Sequence, residues 1–199
     1  MGKWVLLAVL AIAGVGAMMV AGSYNNLNKL DQAVQAQWGQ VENVYQRRLD
    51  LVPNLVETVK GAANFEQETL TQVTQARAKA GQVTTEASTE ILQDPAKFEQ
   101  FQQAQQQLGS ALSRLLVTVE RYPELKATAN FRDLQAQLEG TENRISVERM
   151  RFNEAAQGFN TERNSFPTVI MANFFGSRFK EKPYFKAQPG AETAPKVKF

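Results

Sequence analysis

A long amphipathic pattern between Trp38 and Lys60 is the strongest structural signal in the chain. Apolar residues recur there every three or four positions, which places them along one face of an α-helix. The pattern keeps its phase through Pro53, so we expect a kink at this proline rather than a chain reversal. The apolar stripe consists of Trp38, Val41, Tyr45, Leu49, Val52, Val56, Val59 and Ala63. We therefore predict a first helix from Leu27 to about Gly61.

A shorter helix follows the first one. Asn64–Gln67 carries a helix-start signal, a capping asparagine with a glutamine three residues later, and the apolar stripe then fades by Gly81. Residues 81–94 have weak periodicity and many Thr and Ser side chains, which predicts a long connection.

Two more helices complete the pattern. Asp94 followed by Pro95 is a start signal for a helix that ends before Pro123. The last helix, from about Phe131 to Asn164, has apolar residues spaced by threes and fours along its whole length.

Helix length decides between two arrangements of these segments. If the first two helices formed one straight rod, the third helix, about 40 Å long, could not cover it. Trp38, Val41 and Tyr45 would then be exposed, which a monomer does not normally tolerate. We therefore predict an all-α protein, an antiparallel four-helix bundle over residues 24–165 preceded by one N-terminal transmembrane helix.

The N-terminal segment is apolar enough to cross a membrane. Trp4–Gly22 holds nineteen uncharged residues, which span about 28 Å as a helix. A cleaved signal peptide is the alternative, with Lys3 as its charged start and Val20–Gly22 as its small-residue exit. We favour a single-pass signal anchor over residues 1–23. Lys3 and the amino terminus lie before it, and Lys29 with Asp31 lies after it, a balance of flanking charge that leans towards a bundle outside the cytoplasm.

Small residues recur on one face of this anchor. Such a face lets a second transmembrane helix approach closely, although short anchors are also simply rich in alanine. The face consists of Ala13, Gly14, Ala17 and Ala21.

Composition excludes several classes of function. The 199 residues include no Cys and no His, so disulfides, thiol nucleophiles, imidazole bases and the common zinc sites are excluded. The 22 Lys and Arg nearly balance the 20 Asp and Glu without a dense basic run, which argues against nucleic acid. The sequence also lacks nucleotide-binding glycine loops. We predict no catalytic, metal or cofactor site.

Several ionisable residues lie on or beside the apolar faces. Lone buried charges are costly, so these residues are expected to pair across the bundle in one polar layer. Two interpretations stay open: a salt-bridge network that fixes the register of the helices, or a small ligand pocket. The predicted layer comprises Arg48, Asp50, Arg77, Glu142 and Arg149.

The tail, residues 166–199, combines aromatic and basic side chains. This composition suits a membrane interface or a protein contact, and the alternative is a tail that packs along its own bundle. The basic residues are Arg178, Lys180, Lys182 and Lys186. The predicted contact residues are Val169, Ile170, Met171, Phe174, Phe175, Phe179, Tyr184 and Phe185.

Motifs spread along nearly the whole chain resemble those of the LemA family of bacterial membrane proteins. The longest is W-x-x-V-x-x-x-Y-Q-R-R-x-D-L-V-P-N-L-V-x-T-V-K-G, which begins at Trp38. The others are Y-N-N-L from Tyr24, T-L-x-x-V-x-x-A-R-A at Thr69–Ala78, E-R-Y-P-E-L-K-A at Glu120–Ala127, L-E-G-T-E-N-R-I at Leu138–Ile145, F-N-x-A at Phe152–Ala155 and S-F-P at Ser165–Pro167. The resemblance implies a membrane-anchored helical bundle in the bacterial inner membrane.

Three functional hypotheses follow. The first is a non-catalytic, membrane-anchored scaffold that forms a homo-oligomer, binds a partner protein, or does both. The second is a bundle that senses a ligand or signal through its polar layer. The third is an enzyme or enzyme subunit that relies on carboxylates alone. The first two differ in whether the polar layer is closed by packing or opens to a cavity.

Overall fold

The computed structural model describes residues 2–61, 65–86 and 89–186. This part of the chain is helical and contains no strand, which confirms the predicted all-α class. Ala63 and Asn64, and the tail beyond Lys186, lie outside the described residues. The α-helices are α1 (Gly2–Lys60), α2 (Gln67–Glu86), α3 (Pro95–Val119), α4 (Pro123–Lys126), α5 (Ala129–Asn164) and α6 (Thr168–Phe174), with 3₁₀ helices at Thr89–Gln93 and Gly176–Phe179.

Helix α1 is continuous from the apolar N-terminal segment into the core. Its 59 residues span about 88 Å and include Pro53. The side chains of the first part are exposed, and the buried stripe begins at Leu27. The predicted anchor and first bundle helix are therefore one element, with no break near residue 23.

The long helices pack in antiparallel pairs. Gln37 on α1 bonds to Glu148 on α5, and Arg48 bonds to Glu142, so residue numbers rise on one helix as they fall on the other. Helices α2 and α3 run antiparallel in the same way, with Lys79 bonded to Gln107 and Gln72 bonded to Arg114.

Helix α2 folds back against α1. The Arg77 Nε–H donates to the Leu49 carbonyl on α1 across 2.9 Å. On the other side, α1 meets α3 through Trp38 and Phe101, whose ring centroids lie 5.2 Å apart. We call residues 27–186 the helical body.

Capping explains where α3 begins, whereas the connection before it differs from the prediction. The Asp94 carboxylate accepts hydrogen bonds from the backbone N–H groups of Ala96 and Lys97, and Pro95 occupies the first turn.

Helix α2 continues to Glu86 rather than fading at Gly81. The 3₁₀ helix Thr89–Gln93 then buries Ile91 and Leu92. This apolar pair ties the predicted connection to the core.

The core divides into two clusters. The aromatic cluster comprises Leu27, Val34, Trp38, Val41, Tyr45, Ile91, Leu92, Phe98, Phe101, Ile145, Phe152, Ala156, Phe159, Ala172, Phe179 and Phe185. The aliphatic cluster comprises Leu49, Leu51, Val52, Leu55, Val56, Val59, Leu70, Val73, Ala80, Leu108, Ala111, Leu112, Leu115, Val119, Leu125, Phe131 and Leu138. Since α1 contributes its earlier residues to the aromatic cluster, that cluster lies nearer the apolar N-terminal segment.

Residues 180–186, which we call the strap, run along α5 without regular secondary structure. Asn160 donates to the Lys182 carbonyl and accepts from the Lys182 N–H, at 2.9 and 2.8 Å. Asn153 makes the same two bonds with Phe185, both at 2.9 Å. Seven helical residues and three extended residues both cover about 10 Å, so the two asparagines match the spacing of the strap.

Candidate functional site

A groove runs between α3 and α5 and opens to solvent. Its volume is about 1270 Å³, and Tyr45 and Arg48 of α1 form its floor. Amide and hydroxyl side chains of α3 line one wall, and Lys186 at the end of the strap lies at one margin. The polar layer predicted from the sequence is therefore open on the side between α3 and α5.

Arg48 is the centre of this groove. Its side chain is buried, and its Nη1–H donates to Glu142 Oε1 across 2.9 Å. Its Nη2–H donates to the Gln105 carbonyl across 3.0 Å and also contacts the Gln105 side-chain oxygen. The Nε–H has no acceptor among the residues that the structure describes. Arg48 thus joins α1, α3 and α5 through hydrogen bonds, and its Nε–H remains without an acceptor among the described residues.

Arg149 lies on the same side of the molecule. Its guanidinium lies 4.8 Å from the ring centroid of Phe185 and donates to the Lys186 carbonyl across 2.9 Å. Burial raises the pKa of Tyr45, while the charges of Arg149 and Arg48 oppose that rise. The groove floor is thus a buried phenol beside two guanidinium groups, with Glu142 as their nearby carboxylate.

Two of the predicted polar-layer residues lie elsewhere. Asp50 is exposed and accepts a 2.7 Å hydrogen bond from Gln46 on the outer face of α1. Its placement in the layer was wrong because two residues correspond to about 200° around a helix, which separates Asp50 from Arg48. Arg77 contacts the backbone of α1 at Leu49 rather than a carboxylate.

An ion pair that the sequence analysis missed lies in the aromatic half. Lys182 Nζ lies 2.6 Å from Asp31 Oδ1, and both side chains are only 2% exposed. Gln35 donates to the other oxygen of Asp31 across 2.8 Å, and Lys182 Nζ lies 4.9 Å from the Phe159 ring centroid. A signal existed on α1, because Asp31 falls on the stripe that continues through Val34. Nothing in the tail identified its partner.

The tail residues divide between the core and the surface. Phe179 and Phe185 are buried, so the prediction that they face a membrane or partner was wrong. They pack instead because α5 holds the backbone at both positions: the Arg163 Nε–H donates to the Phe179 carbonyl, and Asn153 bonds to the backbone of Phe185. Val169, Met171 and Phe175 are half-buried, and Ile170, Phe174 and Tyr184 remain exposed.

The predicted packing face of the anchor is exposed throughout. Apart from the adjoining residues of α1 itself, no described atom lies within 4 Å of the position that a Cβ at Gly14 would occupy. The face comprises Ala13, Gly14, Ala17 and Ala21, all exposed.

Among the described residues, no group of three or more Asp and Glu side chains could hold a metal ion.

Comparison with known proteins settles the family. The model of the LemA family matches residues 37–199, which include α2 to α6, the groove and the strap. The chain belongs to the LemA family.

Relatives of the chain include magnetosome proteins. The chain is 25% identical to Magnetosome protein MamQ 2 of Paramagnetospirillum magneticum, over 94% of this chain and 73% of that protein. It is 26% identical to Magnetosome protein MamQ of Magnetospirillum gryphiswaldense, over 85% of this chain and 67% of that protein. Protein LemA of Metamycoplasma hominis is 23% identical, over 85% of this chain and 72% of that protein.

The LemA match and the apolar N-terminal segment both indicate association with a membrane. Among the described residues, α1 is long and apolar enough to cross a membrane, and the apolar part of it is exposed. Together these findings indicate a membrane-associated bacterial protein.

Proposed function

We propose that the protein is a non-catalytic scaffold, anchored in the bacterial inner membrane by one transmembrane helix, that self-associates and holds a partner protein. The observation that carries this proposal is the continuity of α1. One helix leaves the apolar segment at Gly22 and enters the core at Leu27 without a break. A continuous helix fixes the distance and rotation of the core relative to the anchor, whereas a flexible linker would not.

The geometry suits presentation of a surface at a fixed height. Arg48 lies 26 residues beyond Gly22 on the same helix, which is about 39 Å along its axis. The groove between α3 and α5 would therefore stand well clear of the bilayer. The absence of His and Cys from the sequence further favours a binding role over chemistry.

Self-association is attributed to the exposed small-residue face of the anchor. Small residues allow two transmembrane helices to approach closely, and the four small residues lie within one arc of about 100° on α1. Parallel anchors would give a symmetric homo-oligomer, which we expect to be larger than a dimer.

The test is the mass of the full-length protein in mild detergent. Replacing both Gly14 and Ala17 with Leu should lower the mass, because the bulky side chains separate the anchors. Met19→Leu, on the opposite face of the same helix, is the matched control and should leave the mass unchanged. A wild-type protein that stays monomeric at micromolar concentration would reject self-association. Deletion of the tail is unsuitable, since it would remove Phe179 and Phe185 from the core.

A second candidate function is binding of an acidic ligand in the groove. The specific observation is the unused Nε–H of the buried Arg48, beside Tyr45 and close to Arg149. A carboxylate that entered the groove would be attracted by the guanidinium charges of Arg48 and Arg149 without displacing Glu142.

Succinate is a suitable probe of this second candidate. It should raise the melting temperature of the full-length protein above that in sodium chloride of equal ionic strength. Arg48→Lys should remove most of the rise because a lysine cannot reproduce the guanidinium geometry. Arg47→Lys, an exposed neighbour, is the control. An equal response of wild type and Arg48→Lys would contradict a site at Arg48.

A further inference from the structure

Helix α6 buries its small residues and exposes its large apolar ones. Thr168 and Ala172 face the helical body, whereas Ile170 and Phe174 point outward. Phe174 is 80% exposed, and Phe166, just before the helix, is 81% exposed. An amphipathic surface helix in water has the opposite arrangement. We call Phe166, Ile170 and Phe174 the outer ridge of α6.

This ridge lies where α1 leaves its apolar segment. Tyr24, only two residues or about 3 Å beyond Gly22, packs its ring 5.1 Å from that of Phe175. It also packs 5.4 Å from the ring of Phe179. Val20 is half-buried, whereas the rest of the described segment before Gly22 is exposed. The end of α6 is therefore level with the end of the apolar segment.

Exposed basic side chains occur close in sequence to Tyr24 on α1 and to α6. Lys29, Arg178 and Lys180 are all exposed, and Arg178 donates a 2.9 Å hydrogen bond to Asn28. The nearby carboxylates are fewer: Glu162 accepts from Thr168, and Glu181 lies 3.9 Å from the Arg163 guanidinium. Apolar side chains on the ridge would face the acyl chains, and the cations nearer the core would face anionic headgroups. This arrangement matches the boundary between acyl chains and headgroups.

We propose that the outer ridge of α6 inserts into the acyl–headgroup boundary of an anionic bilayer, beside the anchor of the same chain. The inference rests on the proposed membrane anchoring. It adds a second attachment to the first, because Ile170 and Phe174 would enter lipid a short distance from α1. Two attachments would fix the tilt of the helical body relative to the membrane, which one helix alone does not fix.

The absence of cysteine in the sequence makes a direct test simple. Single variants Ile170→Cys and Phe174→Cys of the full-length protein carry a nitroxide label in vesicles of phosphatidylcholine and phosphatidylglycerol. Collision rates with oxygen, which concentrates in lipid, and with a water-soluble nickel chelate then report the surroundings of each label. Val117→Cys is the matched control, since Val117 is an apolar residue of α3 that is 71% exposed. Leu10→Cys reports on the anchor.

The expected result is that oxygen collisions exceed chelate collisions at positions 170 and 174, with the reverse at position 117. Labels at 170 and 174 that resemble position 117 would overturn the inference. Exclusion of both reagents with spin–spin broadening would also overturn it, in favour of a second copy on the ridge. Chelate access at position 10, with 170 and 174 in lipid, would support membrane contact of the ridge but reject the transmembrane anchor and the proposed position beside it. Lipid access at position 10 alone would reject the inference and keep the anchor.

Discussion

The two halves of the core are closed in different ways. The aliphatic cluster is built from the end of α1 and from α2, α3, α4 and the start of α5, elements joined by short connections. The aromatic cluster also needs the strap, which arrives from the far end of the chain. Phe185 packs 4.9 Å from Phe98 and 5.4 Å from Phe152, and it stacks on Trp38 at 6.2 Å.

This difference shows the effect of side-chain size on a helical core. In the aliphatic cluster, leucine and valine from the helices fill most of the space, as protein interiors require. In the aromatic cluster, Phe179 and Phe185 from outside the long helices complete the packing. The ion pairs follow the same division: Asp31–Lys182 is fully enclosed by the strap, whereas Glu142 of the Arg48 pair is 47% exposed.

The largest effect should come from breaking the enclosed pair. Asp31→Ala leaves Lys182 buried without a counter-charge, so we expect a loss of about 3–5 kcal/mol in the free energy of unfolding. Urea unfolding in detergent measures the loss. The double variant Asp31→Leu, Lys182→Met should recover most of it because no charge stays buried. Asp50→Ala is the control on the same helix, with an expected change within about 0.5 kcal/mol.

A smaller effect should follow from releasing the strap at one point. Asn160→Ala removes the hydrogen bonds with Lys182, so we expect a loss of about 2 kcal/mol. Amide hydrogen exchange should rise at Lys182 and Phe185 while residues of the aliphatic cluster keep their protection. If exchange rose equally in both clusters, the two halves would not differ in the way described.

The pair at the groove should matter less than the enclosed pair. Glu142→Ala leaves the buried Arg48 bonded to Gln105 and open to water at the groove, so we expect a loss of about 1–2 kcal/mol. The melting temperature of the full-length protein measures it. A loss as large as that of Asp31→Ala would contradict the open groove, and an unchanged melt would show that the pair contributes nothing.

The smallest effect concerns Glu42 on α1. Burial raises the pKa of Glu42, an effect that the neighbouring Trp38 opposes. A raised folded-state pKa means that ionised Glu42 weakens the fold above that pKa, and that the penalty disappears below the ordinary value of 4.5. Glu42→Gln should therefore stabilise the protein at pH 7 and lose its advantage in acid. Urea midpoints at the two pH values test this, and an advantage that persists in acid would assign the effect to packing.

Local signals in the sequence predicted most of the helices. The capping group at Asp94 and the apolar period of α5 are encoded within a few residues of where they act, so the pattern predicted them well. The continuity of α1 was missed because composition changes at Gly22 while the backbone does not. The predicted connection hid the 3₁₀ helix at Ile91 because an apolar pair is too short to show a period.

The site was less predictable than the fold. The sequence predicted that charges on or beside an apolar stripe pair across the bundle without naming the pairs, and Arg48 and Glu142 do so. Asp50 was misplaced because it is only two residues from Arg48 in the sequence but about 200° away around the helix. The burial of Lys182 could not be predicted because it depends on the path of the strap. The strap has no periodic pattern of apolar residues that would show which side chains face the core.

The path of the strap also determines when the protein can finish folding. Phe185 is synthesised 147 residues after Trp38, which at ribosomal rates is a delay of about 7–30 seconds. During that interval α1 can already have entered the membrane while Trp38, Phe98 and, later, Phe152 lack their last aromatic neighbour. The nascent chain therefore exposes unpacked aromatic side chains close to the bilayer. We expect chaperones to be needed there rather than at the aliphatic cluster.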